Sequence, residues 1–316
     1  MFKKNAQPHI SVVAPIYNEE ENILELFDRL FRTMESVGKS YEIIFVNDGS
    51  KDSSAQILED IFQKHKETVR IIEFNNNYGQ YIAVFAGFEH VRGQIIITLD
   101  ADLQNPPEDI IKLLAKVDEG HDLVGGYREH RQDGWFRTHA SKFVNGMRDK
   151  LTGLHMRDHG CMLRAYSRDI TEQVIKTREA FTFITAMAQK FAKNPIDIPV
   201  KHSERKQGMS KYSLYKLIRI GFDLLTGFSL IPLQMFTLIG VFTSLLSGAL
   251  VVYLVFRRIF IGPEVEGVFT LFALLFFMMS VLITGIGLIG EYVGRAYLSL
   301  CNHPRYVIRK IIEKRD

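Results

Sequence analysis

Two stretches of this chain carry no charged side chain: Leu230 to Phe256 and Val268 to Gly290. The second is 23 residues long. As an α-helix it extends roughly 34 Å, enough to cross a hydrocarbon layer of about 30 Å. Buried helices of a soluble core seldom stay apolar on every face over such lengths, so the pair reads as a transmembrane hairpin. Pro232 falls in the first turn of the first span, where its missing N–H costs nothing. The remaining sequence is charged throughout, so the mean hydropathy of +0.01 describes neither part.

Flanking charge orients the hairpin. Lys201, Arg205, Lys206, Lys211, Lys216 and Arg219 precede it, and Arg295, Arg305, Arg309, Lys310, Lys314 and Arg315 follow it. In the short connection, Arg257 and Arg258 are offset by Glu264 and Glu266. Basic flanks stay in the cytoplasm, which puts both termini there. Between Ser213 and Gly227, Leu214, Leu217, Ile218, Phe222 and Leu225 alternate with Lys216, Arg219 and Asp223, an amphipathic pattern suited to a bilayer surface. The expected organisation is a globular domain at 1–200, a basic amphipathic segment at 201–228, two spans within 229–294 (about 230–256 and 268–290) and a basic cytoplasmic tail at 295–316. The N-terminus lacks the apolar stretch of a signal peptide, so the globular domain is expected to stay in the cytoplasm. A net charge of +3 excludes general nucleic-acid binding, and two cysteines without pair spacing exclude a disulfide framework or zinc site.

The globular part alternates strands and helices. His9–Ile16, Tyr41–Val46, Val69–Phe74 and Gln94–Leu99 read as buried strands. Helices are expected after Glu19 (apolar Ile23, Leu26, Phe27, Leu30, Phe31), over Ser53–Lys64 and over Gln80–His90. This order predicts an α/β fold with a mostly parallel, Rossmann-like sheet covered on both faces. Ligands of such sheets sit beyond the carboxyl ends of the strands, where Asn18-Glu19, Asn47-Asp48 and Asp100-Ala101-Asp102 all fall.

Asp100-Ala101-Asp102, directly after a buried strand, is the central signal. Paired carboxylates can hold a divalent cation that also takes oxygens from a substrate diphosphate, offsetting the charge that builds as a nucleoside diphosphate leaves. Gln104 offers a further oxygen, and Pro106-Pro107 stiffens the entry to the next helix. Asn47-Asp48-Gly49-Ser50 suits a tight turn, and Asp48 could also accept a hydrogen bond from the N–H of a uracil edge.

Together, Pro15-Ile16-Tyr17-Asn18-Glu19-Glu20, Asn47-Asp48-Gly49-Ser50 and Asp100 to Glu108 resemble the family 2, GT-A-fold glycosyltransferases, and within them the polyprenyl-phosphate branch. Gly287 to Arg295 continues the likeness past the second span. Asp158 to Tyr166, His202 to Tyr212 and Glu266 to Phe269 are most similar to the transferases that place 4-deoxy-4-formamido-L-arabinose on undecaprenyl phosphate for lipid A modification and resistance to cationic antimicrobial peptides. The resemblance implies nucleotide contacts at Pro15, Tyr17, Glu19, Asp48 and Asp100, and Mg²⁺ or Mn²⁺ at Asp100, Asp102 and Gln104. It implies a UDP-sugar donor, undecaprenyl phosphate as acceptor, a multi-pass place in a bacterial inner membrane, and a tetramer. Arg128, Arg164, Arg205 and Lys211 are the candidates for phosphate and lipid-acceptor contacts, since arginine's planar fork matches two phosphate oxygens. The resemblance also marks Asp158 as catalytic. A phosphate monoester has its second pKa near ~6 and needs little deprotonation, so Asp158 is either a base or an orienting group.

Other readings fit less well. A processive polysaccharide synthase carries Gln-x-x-Arg-Trp, whereas the single tryptophan here, Trp135, lies in Asp-Gly-Trp-Phe-Arg. A bactoprenol-type hexosyltransferase keeps every motif but changes the sugar, and a non-catalytic scaffold leaves the Asp-x-Asp unexplained. His155, His159 and His202 lack metal-ligand spacing, Cys161 reads as a packing residue, and Glu291 and Arg295 as a helical pair.

Overall fold

The structure, a computed structural model, describes residues 7–128, 158, 161–177, 184–201, 231–262, 268–300 and 304–314. They divide into an α/β unit, formed by the residues up to 201 together with 304–314, and a helical unit formed by 231–262 and 268–300.

In the α/β unit, β1 (Ile10–Ile16), β2 (Tyr41–Asn47) and β3 (Val69–Phe74) are parallel neighbours. Their near-continuous burial is what strands covered on both faces require. Crossovers run through α1 (Ile23–Val37), α2 (Ser54–Lys64) and α3 (Gln80–His90). Helix α1 packs because Ile23, Leu26, Phe27, Leu30 and Met34 recur at helical spacing on one buried face.

Strand β4 (Ile95–Thr98) pairs with β1 on the side opposite β2, so the chain reverses direction across the sheet between β1 and β4. This is the crevice where doubly wound sheets bind ligands. Strand β1 pairs with β2 as far as Ile16↔Asn47 but with β4 only as far as Val13↔Thr98. Pro15 therefore lies where β1 has no β4 partner, a position that tolerates a residue without an N–H.

A short 3₁₀ turn, Pro107–Asp109, leads into α4 (Ile110–Asp118). Strands β5 (Leu123–Arg128) and β6 (Arg164–Ser167), helices α5 (Arg168–Lys176) and α6 (Ile184–Phe191), and strand β7 (Pro195–Val200) follow. The sheet order is β7-β5-β6-β4-β1-β2-β3-β8, with β6 antiparallel to both neighbours and β5 parallel to β7. The fold is the mostly parallel α/β sheet expected.

The last residues correct the expectation of a separate tail. β8 (Ile308–Ile312) runs antiparallel to β3 at the sheet edge, with Ile71↔Ile312 and Phe74↔Ile308 in register. Basic residues flanking its apolar positions find carboxylates on β3 and α2: Arg309 meets Glu73 at 3.1 Å, and Lys310 pairs with Glu73 and Glu59. Glu313 bonds Arg70 at 3.0 Å and Arg92 at 2.9 Å. Basic content alone does not separate a solvated tail from an edge strand whose partners are acidic.

The helical unit consists of α7 (Ile231–Phe260) and α8 (Val268–Leu300). Both contain segments long and apolar enough to cross a membrane, Leu233–Phe260 and Leu274–Gly294. Helix α8 continues through Glu291 and Arg295, past the expected end of the span, and its 33 residues extend about 50 Å. Gly285 of α8 lets the Phe236 ring of α7 approach closely: a Cβ there would lie 2.3 Å from the ring. The segment 202–230, which includes the expected amphipathic stretch, lies outside the described residues.

Candidate active site

The loops after β1, β2, β3 and β4 meet at the carboxyl edge of the sheet. After β1, Tyr17 is 43% exposed and Asn18 adopts a left-handed φ of 54°. Asn18 donates its N–H to Ser50 Oγ at 3.1 Å and accepts the Lys51 N–H on Oδ1 at 2.8 Å. The Glu19 N–H donates to Ser54 Oγ at 3.0 Å, and its carboxylate accepts Asn22 Nδ2 at 2.6 Å. Short polar side chains after β2 thus brace the loop after β1, which leaves the Tyr17 ring at the surface of the crevice.

After β2, Asp48 is almost fully buried. Its two oxygens accept the backbone N–H groups of Tyr78 (2.7 Å) and Gly79 (2.8 Å). Burial pushes the Asp48 carboxyl above its ordinary range, against the pull of those two amides. The next residue, Gly49, has φ +65°, and a Cβ on it would sit 2.5 Å from the Asn76 backbone, so no other residue fits this turn. Gln80, first residue of α3, hydrogen-bonds Asp100 through its amide. One short segment, 75–80, therefore connects Asp48 to the Asp-x-Asp turn.

After β4, Asp100 and Asp102 are half-buried on either side of buried Ala101. Asp102 Oδ1 accepts the Gln104 N–H at 3.1 Å. Leu103 holds φ 57°, a left-handed conformation that a branched side chain adopts only under constraint. Glu108 lies outside this centre: its carboxylate takes a two-pronged hydrogen bond from Arg29 of α1 at 2.9 and 2.8 Å, which holds it below the usual carboxylate range.

Strand β6 brings a fifth segment to the site. Arg164 lies opposite Thr98 in the β4–β6 ladder, and Thr98 Oγ1 donates to Met162 O. Cys161 Sγ sits 3.8 Å from Asn105 Oδ1. Burial pushes its thiol up to about 11, and the charges of Asp158 and Asp100 add to the rise. Asp158 itself is buried.

The carboxylate pair thus lies at the reversal point of a doubly wound sheet, where such sheets bind their ligands. Residues 11–175 match glycosyl transferase family 2. The chain is 46% identical, over 96% of its length and 94% of the relative's, to an undecaprenyl-phosphate 4-deoxy-4-formamido-L-arabinose transferase of Edwardsiella ictaluri (strain 93-146). The chain belongs to glycosyl transferase family 2. Among solved structures, S. aureus TarS 1-349 in complex with UDP-GlcNAc is 18% identical over 68% of this chain and 66% of its own, with a TM-score of 0.44. Glucosyl-3-phosphoglycerate synthase from Mycobacterium tuberculosis, in complex with Mn²⁺, UDP and phosphoglyceric acid, is 17% identical over 70% and 77%, with a TM-score of 0.48.

Within this glycosyltransferase, Tyr17 and Glu19 follow the end of β1, which holds buried Pro15, and Asp100, Asp102 and Gln104 follow the end of its parallel neighbour β4. Asp48 braces the loop after β3: each of its oxygens accepts one loop amide, and each keeps a further lone pair. One expectation is corrected. Arg164 is fully buried and does not face a phosphate. Its Nε donates to Cys161 O at 3.0 Å, its Nη2 to Asp158 O at 2.5 Å, and its Nη1 lies 4.0 Å from Asp197 Oδ1. The guanidinium fixes the segment that carries Asp158. Arg128 closes β5 opposite Val200, and Arg205 and Lys211 lie outside the described residues. Sequence reasoning missed the segment Asn75–Gln80, whose only trace was a run of asparagines ending in Tyr-Gly-Gln before a helix.

Among the described residues no three His, Cys, Asp or Glu side chains cluster as a self-sufficient metal site. Two carboxylates and one amide oxygen suit a hard cation that takes its remaining ligands from substrate phosphates and water.

Proposed function

We propose that this glycosyltransferase moves 4-deoxy-4-formamido-L-arabinose from its UDP-linked donor to undecaprenyl phosphate, inverting the anomeric carbon. The observation that carries the reading is 46% identity sustained over 96% of the chain, spans included, to a transferase named for that reaction. Two membrane-length helices in the same chain suit an acceptor that never leaves the bilayer. The reading puts both termini and the catalytic unit on the cytoplasmic side of a bacterial inner membrane, in a homo-oligomer.

The nucleotide lies against Tyr17 and Glu19 at the mouth of the β1–β4 crevice. Asp100 and Asp102, with Gln104 beside them, hold a divalent cation, Mg²⁺ or Mn²⁺, which supplies positive charge to the donor diphosphate. A phosphate oxygen of the lipid forms the new bond to the anomeric carbon as the bond to UDP breaks, and the electron pair leaves with UDP. At neutral pH that phosphate is largely a dianion already, so Asp158 orients the donor sugar and no base is required. Arg128, Arg205 and Lys211 receive the acceptor phosphate. Catalysis then consists of positioning and charge stabilisation.

The test is turnover of undecaprenyl phosphate with the formamido-arabinose, glucose and N-acetylhexosamine UDP donors side by side. The formamido-arabinose donor should be preferred by about 10⁴-fold or more, because a site that hydrogen-bonds a particular polar group rejects analogues lacking it. Preference for a hexose would leave the family standing and refute the sugar.

A further inference from the structure

We propose that the chain following the second membrane-length helix is a positioning element of the donor site, acting through Tyr306 on the loop Asn75–Gly79. The inference rests on the UDP-sugar reading above and adds to it a residue far in sequence from Tyr17, Asp48 and the Asp-x-Asp turn.

Strand β8 does more than close the sheet edge. Just ahead of it, Val307 O accepts the Asn75 N–H at 3.1 Å, at the point where β3 gives way to the loop. The Tyr306 ring stacks on Phe74, with centroids 4.9 Å apart and planes 25° from parallel. Phe74 in turn meets Tyr78 edge-on at 5.6 Å and 89°. The backbone N–H groups of Tyr78 and Gly79 are the two that Asp48 holds, and Gln80 follows at once with its bond to Asp100. One row of rings, Tyr306–Phe74–Tyr78, thus ends on the backbone that ties the Asp48 turn to the Asp-x-Asp turn.

The rest of β8 has its own fastening. Arg309, Lys310, Glu313 and Lys314 pair with Glu73, Glu59, Arg70 and Glu67. Ahead of the strand, the Arg305 guanidinium lies 4.7 Å over the Phe85 ring of α3. Removing the Tyr306 ring leaves these contacts in place, so its effect falls on the loop and not on whether the strand docks. The Tyr306 hydroxyl bonds Glu89, which makes phenylalanine a clean control: it keeps the stack and drops the hydroxyl.

The experiment uses the full-length protein in detergent or nanodiscs, with Tyr306→Ala, Tyr306→Leu and Tyr306→Phe beside the wild type. UDP binding is measured calorimetrically, and KM and kcat are measured for donor and lipid. An aromatic contact of this kind bounds the change at about two- to tenfold in affinity. The Ala and Leu variants should bind UDP that much more weakly, with donor KM raised to match, lipid KM unchanged and cooperative melting retained. The Phe variant should behave as wild type. The Leu variant preserves apolar volume and carries the test if the Ala variant does not fold. Wild-type UDP affinity in a folded Ala or Leu variant overturns the inference, as does a Phe variant as weak as Ala. Failure of the wild type itself to bind UDP would instead refute the function on which the inference stands.

Discussion

Asp100 and Asp102 earn their place from what surrounds them. Buried Ala101 pins the turn between them, and Leu103 is held at φ 57°, a conformation that costs on the order of 1–3 kcal/mol and persists only where its surroundings impose it. Asp102→Asn keeps the shape and the hydrogen bond to the Gln104 amide but removes the negative charge. Transfer should therefore fall by about 10²-fold or more while thermal stability is unchanged, since the loss falls on the transition state. EDTA should silence the wild type equally, with Mn²⁺ or Mg²⁺ restoring it; full turnover after thorough chelation would refute metal dependence. Asp48 shows a second case. An Asp-Gly pair after a strand is compatible with reading a ligand and with bracing a loop, and only the proximity of Tyr78 and Gly79 shows the bracing.

Among the elements, antiparallel β6 does most to assemble the site. It lays the chain around Asp158 beside the loop after β4, and the buried Arg164 guanidinium fixes that arrangement through the carbonyls of Cys161 and Asp158. Room for the guanidinium comes from Gly125 of β5, where a Cβ would stand 2.3 Å from Asp197 Oδ1 and 2.6 Å from Arg164 Nη1. Gly125→Ala should destabilise the protein by about 1–3 kcal/mol, as overpacking does, and lower kcat by disturbing Asp158. Calorimetric melting and steady-state kinetics check both effects. An unchanged melting temperature would mean that β5 yields freely and that the packing around Arg164 is loose. Burial also decides the role of Arg164, a strand residue facing inward, whereas a phosphate ligand needs an exposed end.

For the whole molecule, the charge bias around the two spans makes a topological prediction. In a chain with its native cysteines replaced, single cysteines at Lys3 and Lys314 should be shielded from a membrane-impermeant thiol reagent in intact cells. One at Glu264 should react. Labelling of both terminal positions from outside would reverse the orientation.

The membrane-length helices, the parallel core and the loops bearing Tyr17, Asp48 and Asp100 were all legible in the linear chain. Each rests on a local pattern: an unbroken apolar run, alternation of strand and helix, a polar turn at a strand end. What tertiary structure alone decided was pairing across long separations. Basic residues at 309–314 make an edge strand because β3 and α2 offer carboxylates some 240 residues earlier, as Arg309 does with Glu73. Segment 75–80 enters the site because Asp48 accepts its amides, and Arg164 becomes a brace because β6 runs against β4. Composition and periodicity report the environment a residue prefers, whereas a hydrogen-bond partner is fixed only when the sheet order brings the two groups together.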